Sequence, residues 1–411
     1  MQFTAFRYGW LGFALAMLGI PLYVYLPTYY AQQSALSLSA VGSALLLART
    51  FDVITDPLIG WWSDRLQAHV SRSKQMWMAS GFLLLGVYQL WLPNLETLSW
   101  WPLFFWSFVT YLAWTSITIP YLAMSAEISR VAHHKTLLSS AREAFAIVGV
   151  LVVLSLPLLS GFSAQQEEFY GFLFGLFSLV FISGLLWLIN LPMLGAQIHT
   201  PMAPWRLIKQ LWQSERQVFH IMPSYFLNNF ANALPATLFL IFVSDYLQLE
   251  AQTGQFLFIY FVAGLVSLPV WIQLAKRFGK QRTWKASMLL ASVSFLGVFF
   301  LNAGDANGFM LVSVLTGLSL GIDVAMPASI QADLTQEVKS NQTSGLLFGL
   351  WGMLTKLALA LAVGLAFPIL EWSQNLGFAT PTLLILYAGL PILLKLSAWS
   401  LLKHECTEGV G

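Results

Sequence analysis

The sequence predicts an all-α integral membrane protein, and three observations support this fold class. Hydrophobic residues make up 57% of the 411 residues and charged residues only 9%, whereas soluble domains are about 25% charged. The mean hydropathy is +0.70, and the apolar runs reach the roughly 20 residues that a helix needs to cross a bilayer. Basic residues occur in every second loop between these runs. We therefore expect twelve transmembrane helices.

The spans follow from the apolar runs in chain order. The first run lacks the small-residue site at which a signal peptide is cleaved, so we interpret it as a span. The predicted spans cover roughly residues 11–31, 38–62, 76–95, 100–129, 136–162, 168–192, 218–248, 254–277, 284–303, 307–335, 340–371 and 376–401.

The loops alternate in charge. Lys and Arg lie in the loops after spans 2, 4, 6, 8 and 10, whereas the loops after odd-numbered spans contain neither. By the positive-inside rule, the basic loops and both termini are cytoplasmic, and we expect the chain in a bacterial cytoplasmic (inner) membrane. The basic loop residues are Arg65, Arg72, Lys74, Arg130, Lys135, Arg206, Lys209, Arg216, Lys276, Arg277, Lys280, Arg282, Lys285 and Lys339.

The two halves of the chain look like copies of each other. Pro21 precedes Pro235 by 214 residues, Arg142 precedes Lys356 by the same number, and the separation from Pro57 to Arg65 recurs from Pro269 to Arg277. Repeats of this kind occur in major facilitator transporters, which bind their cargo near the midplane between two six-helix bundles. The predicted domains are an N-terminal bundle at about 1–192, a cytoplasmic middle loop at 193–217, a C-terminal bundle at 218–401 and a cytoplasmic tail at 402–411.

The middle loop and the tail contain two further features. Trp205 to Gln213 mixes aromatic, aliphatic and basic residues, which is typical of an amphipathic helix on the membrane surface; a polar connector is the alternative. The single cysteine, Cys406, lies in the tail, so we expect no disulfide framework and no thiolate metal site.

The most informative stretch is LARTFDVITDPLIGWWSDR, from Leu47 to Arg65. Arg49, Asp52 and Asp56 share one face of the predicted second span because they follow a spacing of three and four residues. Each charge would cost about 2.5–3.5 kcal/mol at the centre of the bilayer. The charged face must therefore contact protein or a water-filled cavity.

With these residues in view, the sequence resembles the glycoside–pentoside–hexuronide:cation symporters, the family of the melibiose permease, over nearly its whole length. The stretch from Leu47 to Arg65 is close to the family's span-2 signature. The segment ADLTQEVKSNQTSGLLFGLWGMLTK is a second match and contains Lys356 at the family's intramembrane lysine. Arg142 falls at a cavity arginine, and Asn228 and Asn232 match a pair of span-7 asparagines. The resemblance implies a major facilitator fold and cation-coupled solute symport.

The sequence departs from that family where the melibiose permease contacts its sugar. Ala16 and Thr118 stand where the permease has aspartates, and Leu122 stands where it has a stacking tryptophan. Thr55 replaces an asparagine of the cation site. The resemblance therefore implies that the coupling residues are retained and the galactoside-reading groups are largely missing.

The predicted cation site centres on two carboxylates. Asp52 and Asp56 lie one turn apart, and hydroxyls of Thr55 or Thr115 could complete an oxygen shell for Na⁺. Two close carboxylates in a low dielectric can equally share a proton. A structural charge cluster with Arg49 is the alternative. We expect Arg49 to balance the acids, and Lys356 to pair with one of them when the cation is absent.

The remaining candidate residues fall into two groups. For the solute we expect contacts from Arg142, Thr118, Trp114, Asn228, Asn232 and Lys356. Core packing is the alternative for Trp114, and a salt bridge at the cytoplasmic end is the alternative for Arg142. For the gates we expect Asp64, Arg65, Glu127, Arg277 and Asp333, with Glu127 and Asp333 pairing with basic groups such as Arg65 and Arg277. Asp323 lies in the apolar run GIDVAMP and receives no role.

These features together predict a monomeric secondary transporter. Its expected partners are a small-molecule solute, a coupling cation and the lipid bilayer, with no nucleic acid. No catalytic constellation and no phosphate-binding glycine loop is present in the sequence, so we expect neither an enzyme nor a cofactor. Two alternatives remain open: transport of a lysolipid or other amphiphile, and a non-transporting receptor or assembly partner.

Overall fold

The computed structural model describes residues 2–26, 29–30, 36, 38–94, 99–160, 166–189, 191, 203–214, 219–337 and 344–402. Residues 403–411 of the predicted tail, with Cys406, and the loop residues Arg216 and Lys339 lie outside these ranges. The helices are α1 Gln2–Met17, α2 Leu38–Leu66, α3 Arg72–Trp91, α4 Trp100–Ile128, α5 Ala132–Ser160, α6 Glu167–Leu188, α7 Pro204–Ser214, α8 Met222–Ile241, α9 Thr253–Phe278, α10 Lys280–Leu296, α11 Ala306–Glu337, α12 Ser344–Asn375, α13 Ala379–Leu384 and α14 Leu390–Leu401.

Helix occupies each of the twelve predicted spans within the described ranges. Among the described residues, nine helices between Trp100 and Leu401 are long and apolar enough to cross a membrane. The charged helix α2 is not one of them. α7 corresponds to the predicted amphipathic helix of the middle loop, with Trp205 and Trp212 exposed.

The helix of the first predicted span begins before the predicted span itself. α1 starts at Gln2, and its charged residue Arg7 lies on the helix. The Arg7 guanidinium donates to the carbonyl oxygen of Trp187 through Nη2 at 2.6 Å and Nε at 3.0 Å. A basic side chain is well placed there, because the last carbonyls of a helix have no partner within the helix.

Three spans contain a wider turn than the α-helix. Residues Pro21–Tyr25, Phe242–Tyr246 and Ile385–Gly389 form π-helix. The second and third segments meet, because the rings of Phe242 and Tyr387 stack at 3.9 Å with an angle of 6°. π-Helical turns are rare in proteins, and those that occur often lie at functional sites.

The chain divides into two compact units. The first contains residues 1–206 together with 335–353, and the second contains residues 207–334 together with 354–411. The start of α12 therefore packs with the first unit, although it follows most of the second unit in the sequence.

Glycines let α1 and α5 pack closely in the first unit. A Cβ at Gly12 would lie 3.0 Å from atoms of Arg142, and a Cβ at Gly149 would overlap the carbonyl oxygen of Phe13. Small residues at such crossings let backbones approach and are typical of membrane helices. The contact holds Arg142 against α1.

Candidate cation and solute site

The two acids of α2 converge on one hydroxyl of α4. Thr115 Oγ1 lies 2.7 Å from Asp52 Oδ1 and 3.1 Å from Asp56 Oδ1. Asp52, Asp56 and Thr115 are at most 5% exposed. A hydroxyl has one hydrogen, so Thr115 can donate to only one carboxylate at a time. Three oxygens thus meet in a buried position, and oxygen is the donor that hard cations prefer.

The start of α12 covers Asp56. A Cβ at Gly352 would come within 2.6 Å of Asp56 Oδ2, and a Cβ at Gly349 would overlap the Asp56 carbonyl oxygen. Gly345 contacts the backbone of Gly60 in the same way. These glycines occur four and three residues apart and so share one face of the helix. Any larger side chain on this face would displace the carboxylate or the backbone beside it.

Two other residues of the expected cation site lie near it on α2. The Thr55 hydroxyl donates to the Asp52 carbonyl oxygen at 3.1 Å, three residues back along the helix. Such local bonds satisfy a hydroxyl within its own helix. Arg49 is half-buried. The cation roles of both residues stay predictions.

A second polar group in the first unit surrounds Arg142. Its guanidinium forms an ion pair with Glu143, the next residue, and its Nη1 has no hydrogen-bond partner among the described residues. Nearby, the Tyr8 hydroxyl donates to the Tyr121 carbonyl at 3.0 Å, and the Tyr121 hydroxyl donates to the Tyr8 carbonyl at 2.6 Å. This reciprocal pair holds α1 against α4 beside the arginine.

Thr118 and Trp114 lie on α4 with Thr115 and Tyr121. The Thr118 hydroxyl is buried and has no hydrogen-bond partner within the described part of the chain. A buried polar group without a partner costs about 1–3 kcal/mol, so a solute hydroxyl here would relieve that cost. Trp114 is half-buried and packs against the apolar core of the first unit.

The candidate solute residues of the second unit lie on α8 and α12. Asn228 is completely buried, and its Oδ1 accepts a hydrogen bond from Lys395 Nζ at 3.0 Å. Asn232 is half-buried. Lys356, on α12, is half-buried in the same unit. Sequence reasoning did not name Lys395, which lies in an apolar run that gave no sign of a partner.

Sequence reasoning also missed a polar face beside Asn232. Asn229 Nδ2 donates to the Tyr225 carbonyl at 2.8 Å, and the Tyr225 hydroxyl lies 2.6 Å from Thr355 Oγ1 on α12. Tyr225, Asn229 and Asn232 follow a spacing of four and three residues, which could have identified the face.

Arg72 is the centre of the network that contains Asp64 and Glu127. Its Nη2 lies 2.6 Å from Asp64 Oδ1 and 2.8 Å from Glu127 Oε1, and the side chain is completely buried. The Asp64 carboxylate also accepts the backbone N–H groups of Gly345 and Leu346, each at 2.7 Å. It therefore caps the start of α12, where a negative charge is favoured.

The predicted gate partners differ from those in the structure. Glu127 pairs with Arg72, whereas Arg65 lies over the ring of Trp61 at 5.7 Å. Asp333 pairs with Lys280 at 2.5 Å. Arg277 lies over the ring of Phe278 at 5.2 Å. Glu127 and Asp333 therefore each pair with a basic residue from the predicted loop, but with Arg72 instead of Arg65 and with Lys280 instead of Arg277. The direction in which each basic side chain points decides which of them reaches the carboxylate.

Comparison with known proteins identifies the class. The chain belongs to the family described as MFS/sugar transport protein, whose match extends over residues 7–403. It is therefore an integral membrane protein and a transporter rather than an enzyme. The resemblance to the glycoside–pentoside–hexuronide symporters agrees with this family.

Two curated relatives carry the name symporter. An uncharacterized symporter of Synechocystis is 30% identical over 196 residues, which cover 45% of this chain and 36% of the relative. The uncharacterized symporter YnaJ of Bacillus subtilis is 26% identical over 162 residues, covering 38% of this chain and 34% of the relative. The chain thus matches about a third of the length of these relatives.

Solved structures of major facilitator transporters share the fold. A bacterial homologue of the iron transporter ferroportin in an outward-facing state superposes with a TM-score of 0.69 at 16% identity, covering 96% of this chain and 99% of that one. The proton:xylose symporter XylE gives 0.69 at 15%, covering 97% and 94%. The Escherichia coli fucose:proton symporter FucP gives 0.68 at 13%, covering 98% of each. The fold is that of the major facilitator superfamily, with twelve transmembrane helices in two six-helix bundles.

Proteins of this family are transporters, which move small-molecule solutes across lipid bilayers and need no cofactor. In the described ranges, no group of three or more His, Cys, Asp or Glu side chains is arranged to hold a metal ion.

Proposed function

We propose that this transporter couples a cation, Na⁺ or H⁺, to the movement of a sugar or related small polar solute by alternating access. The observation that carries the proposal is the convergence of Asp52, Asp56 and the Thr115 hydroxyl in a buried position. Two carboxylates are expensive to hold within a membrane and mark ion or proton pathways in such proteins.

The ion is bound in one of two ways. Na⁺ would take oxygen ligands from both carboxylates and from Thr115. A proton would be shared by the carboxylates, because two negative charges in a low dielectric repel each other and favour uptake of one proton. Both versions use the same residues and differ in whether Na⁺ or pH controls transport.

Each unit contains polar groups suited to contact a solute. Arg142 Nη1 and the Thr118 hydroxyl are partnerless polar groups of the first unit within the described ranges, and Lys356, Asn232 and the neighbouring Asn229 are candidates in the second. Symport requires the cation to raise the affinity for the solute, because a ligand shifts a conformational equilibrium only through differential affinity.

The residues at the sugar-reading positions favour a second candidate solute. Ala16 and Thr118 carry no charge, so the site lacks the carboxylates that would accept hydrogen bonds from sugar hydroxyls. A lysolipid or other amphiphile needs fewer such acceptors. We further propose that the transporter is a monomer in the bacterial inner membrane with both termini cytoplasmic, on the basis of the loop charges.

A thermal-stability screen of the purified protein tests the proposal. Glycosides, pentosides, hexuronides and lysolipids are added in Na⁺ or in K⁺ at two pH values. A ligand at about 100 times its Kd stabilises the folded state by roughly 2.7 kcal/mol. We expect stabilisation by a sugar that depends on Na⁺ or on low pH. Stabilisation by lysolipids alone would show that the solute is an amphiphile and not a sugar.

The coupling claim is tested by Asp56→Asn in reconstituted vesicles. The variant should abolish cation-dependent uptake because it removes one of the two charged ligands. Glu371→Gln is the matched control, since Glu371 is exposed at the end of α12. Cation-dependent uptake at the normal rate in Asp56→Asn would remove the coupling claim.

A further inference from the structure

A buried ion pair joins four helices of the second unit. Lys395 Nζ on α14 lies 2.6 Å from Asp323 Oδ2 on α11, and their side chains are 1% and 3% exposed. Lys395 also donates to Asn228 Oδ1 on α8 at 3.0 Å, and the Ser287 hydroxyl on α10 donates to Asp323 Oδ1 at 2.6 Å. None of these residues belongs to the cation site of the first unit.

Burial makes this pair a poor source of net stability. Removing two charges from water costs about as much as their attraction returns, so apolar side chains of similar size often stabilise a protein equally well. What an ion pair adds is geometry, because its hydrogen bonds are satisfied in one arrangement of the helices and broken in others. A lysine can only donate, so Asn228 must present its oxygen to Lys395.

The link to Asn228 fixes how α8 is rotated. Ser224 and Asn228 lie on its buried face, and Ser224 donates to the Ala398 carbonyl of α14 at 2.6 Å. Tyr225 and Asn229 follow one residue later along the chain and therefore lie about 100° further around the helix, and Asn232, four residues after Asn228, lies about 40° around in the same direction. A rotation that broke the Asn228–Lys395 bond would carry this polar face with it.

We propose that Asp323 and Lys395 are positioning residues, which act through Asn228 to fix the rotation of α8 and so orient Tyr225, Asn229 and Asn232 toward the solute. The link to the solute rests on the proposed function. The rotational role of the pair does not, and it can be measured without any solute.

The test measures maleimide labelling in a Cys406→Ser background, since Cys406 is the single cysteine of the chain. Asn232→Cys reports the accessibility of the half-buried polar face. Ala231→Cys, at a completely buried position, reports the accessibility of the buried face. In the otherwise unchanged protein, the cysteine at 232 should react faster. In Asp323→Leu/Lys395→Met, we expect the ratio of the two rates to fall at least fivefold.

Two variants make the result specific. The charge swap Asp323→Lys/Lys395→Asp should restore the ratio to within about twofold, because it keeps an ion pair between the same helices. Ser224→Ala should leave the ratio unchanged, because it removes an uncharged bond between α8 and α14. An unchanged ratio in the folded apolar double variant would overturn the proposal.

Asn228→Ala keeps the test decisive if the apolar double variant does not fold. It leaves the ion pair in place and removes only the link to α8, so the ratio should again fall at least fivefold. A normal ratio in this variant would also overturn the proposal.

Sugar binding tests the solute link separately. Binding of methyl glycosides of galactose, xylose and glucuronic acid is measured in Asp323→Leu/Lys395→Met, which alters no candidate solute residue, together with the cation concentration at half-maximal stabilisation. We expect the Kd of whichever glycoside binds to rise at least tenfold while the cation midpoint stays within twofold. A changed labelling ratio with an unchanged glycoside Kd would contradict the solute link alone, and no glycoside binding in the unchanged protein would contradict the proposed function alone.

Discussion

Single side chains decide what the buried acids of α2 can do. Asp52 and Asp56 are one turn apart, so their charges repel unless something between them compensates. The Thr115 hydroxyl can donate to either carboxylate in the absence of a cation and can turn a lone pair toward a cation when one is bound. It therefore suits both states of a coupled transporter.

Replacing Thr115 with valine tests this role. The variant keeps the shape of the side chain and removes one of the three oxygens that would bind the cation. We expect the cation concentration at half-maximal uptake to rise about tenfold or more, and a factor of ten corresponds to about 1.4 kcal/mol.

The adjacent Ser116 provides the control. Its hydroxyl donates to the Leu112 carbonyl at 2.7 Å within α4, so Ser116→Ala should leave the cation midpoint within twofold. Equal midpoints for the valine variant and the unchanged protein would show that the hydroxyl does not contact the cation.

At the scale of whole elements, the start of α12 shapes the cation site without contributing a charge. Its glycines at positions 345, 349 and 352 let the helix lie directly against α2. The contact brings backbone to within reach of Asp56 and excludes water from one side of the carboxylate. Small residues thus set the dielectric and the space that a cation encounters.

Gly352→Ala should weaken cation binding although no ligand is altered. The added Cβ would lie 2.6 Å from Asp56 Oδ2, so the carboxylate must move. We expect at least a fivefold rise in the cation midpoint in the stability screen. Gly364→Ala on the same helix is the control, because among the described residues no atom lies within 4 Å of the position of its Cβ. Identical midpoints for the two variants would contradict the packing argument.

Asp64, near the end of α2, caps the start of α12 and so connects the two helices. Its carboxylate accepts from Gly345, Leu346 and Arg72. Asp64→Asn keeps one acceptor oxygen and turns an amide toward the remaining donors. Because breaking a buried pair costs about 3–5 kcal/mol, we expect a clear fall in the midpoint of thermal unfolding.

An exposed acid calibrates that measurement. Asp245→Asn, at a position exposed to solvent, should leave the unfolding midpoint unchanged. A variant of Asp64 as stable as this control would mean that the cap and the ion pair do not stabilise α12.

At the scale of the whole molecule, the alternation of charge between loops predicts the topology. Green fluorescent protein fused after Leu402 should fluoresce, because it folds in the cytoplasm, whereas alkaline phosphatase at the same position should be inactive. Alkaline phosphatase fused after Gly304, between α10 and α11, should be active. The reverse pattern at either position would invert the proposed orientation.

Much of the architecture could be predicted from the sequence, because a bilayer imposes strong rules on it. A helix needs about 20 apolar residues to span the membrane, and the charges of the loops follow from its orientation. The charged face of α2 was also visible, since the spacing of Arg49, Asp52 and Asp56 is fixed by the helix itself.

Contacts between distant residues were decided by the tertiary structure alone. No local pattern links Asp323 to Lys395, which is 72 residues away, or shows that Arg72 rather than Arg65 turns toward Glu127. Which charged side chains pair depends on which of them the packing of the helices brings within about 3 Å of each other. Helix propensity carries no information on how helices pack against one another. The sequence by itself therefore determined the class of the protein, its spans and its central acids. The tertiary structure decided the partners of each charge, because a buried charge is stable only where the packing of other helices supplies one.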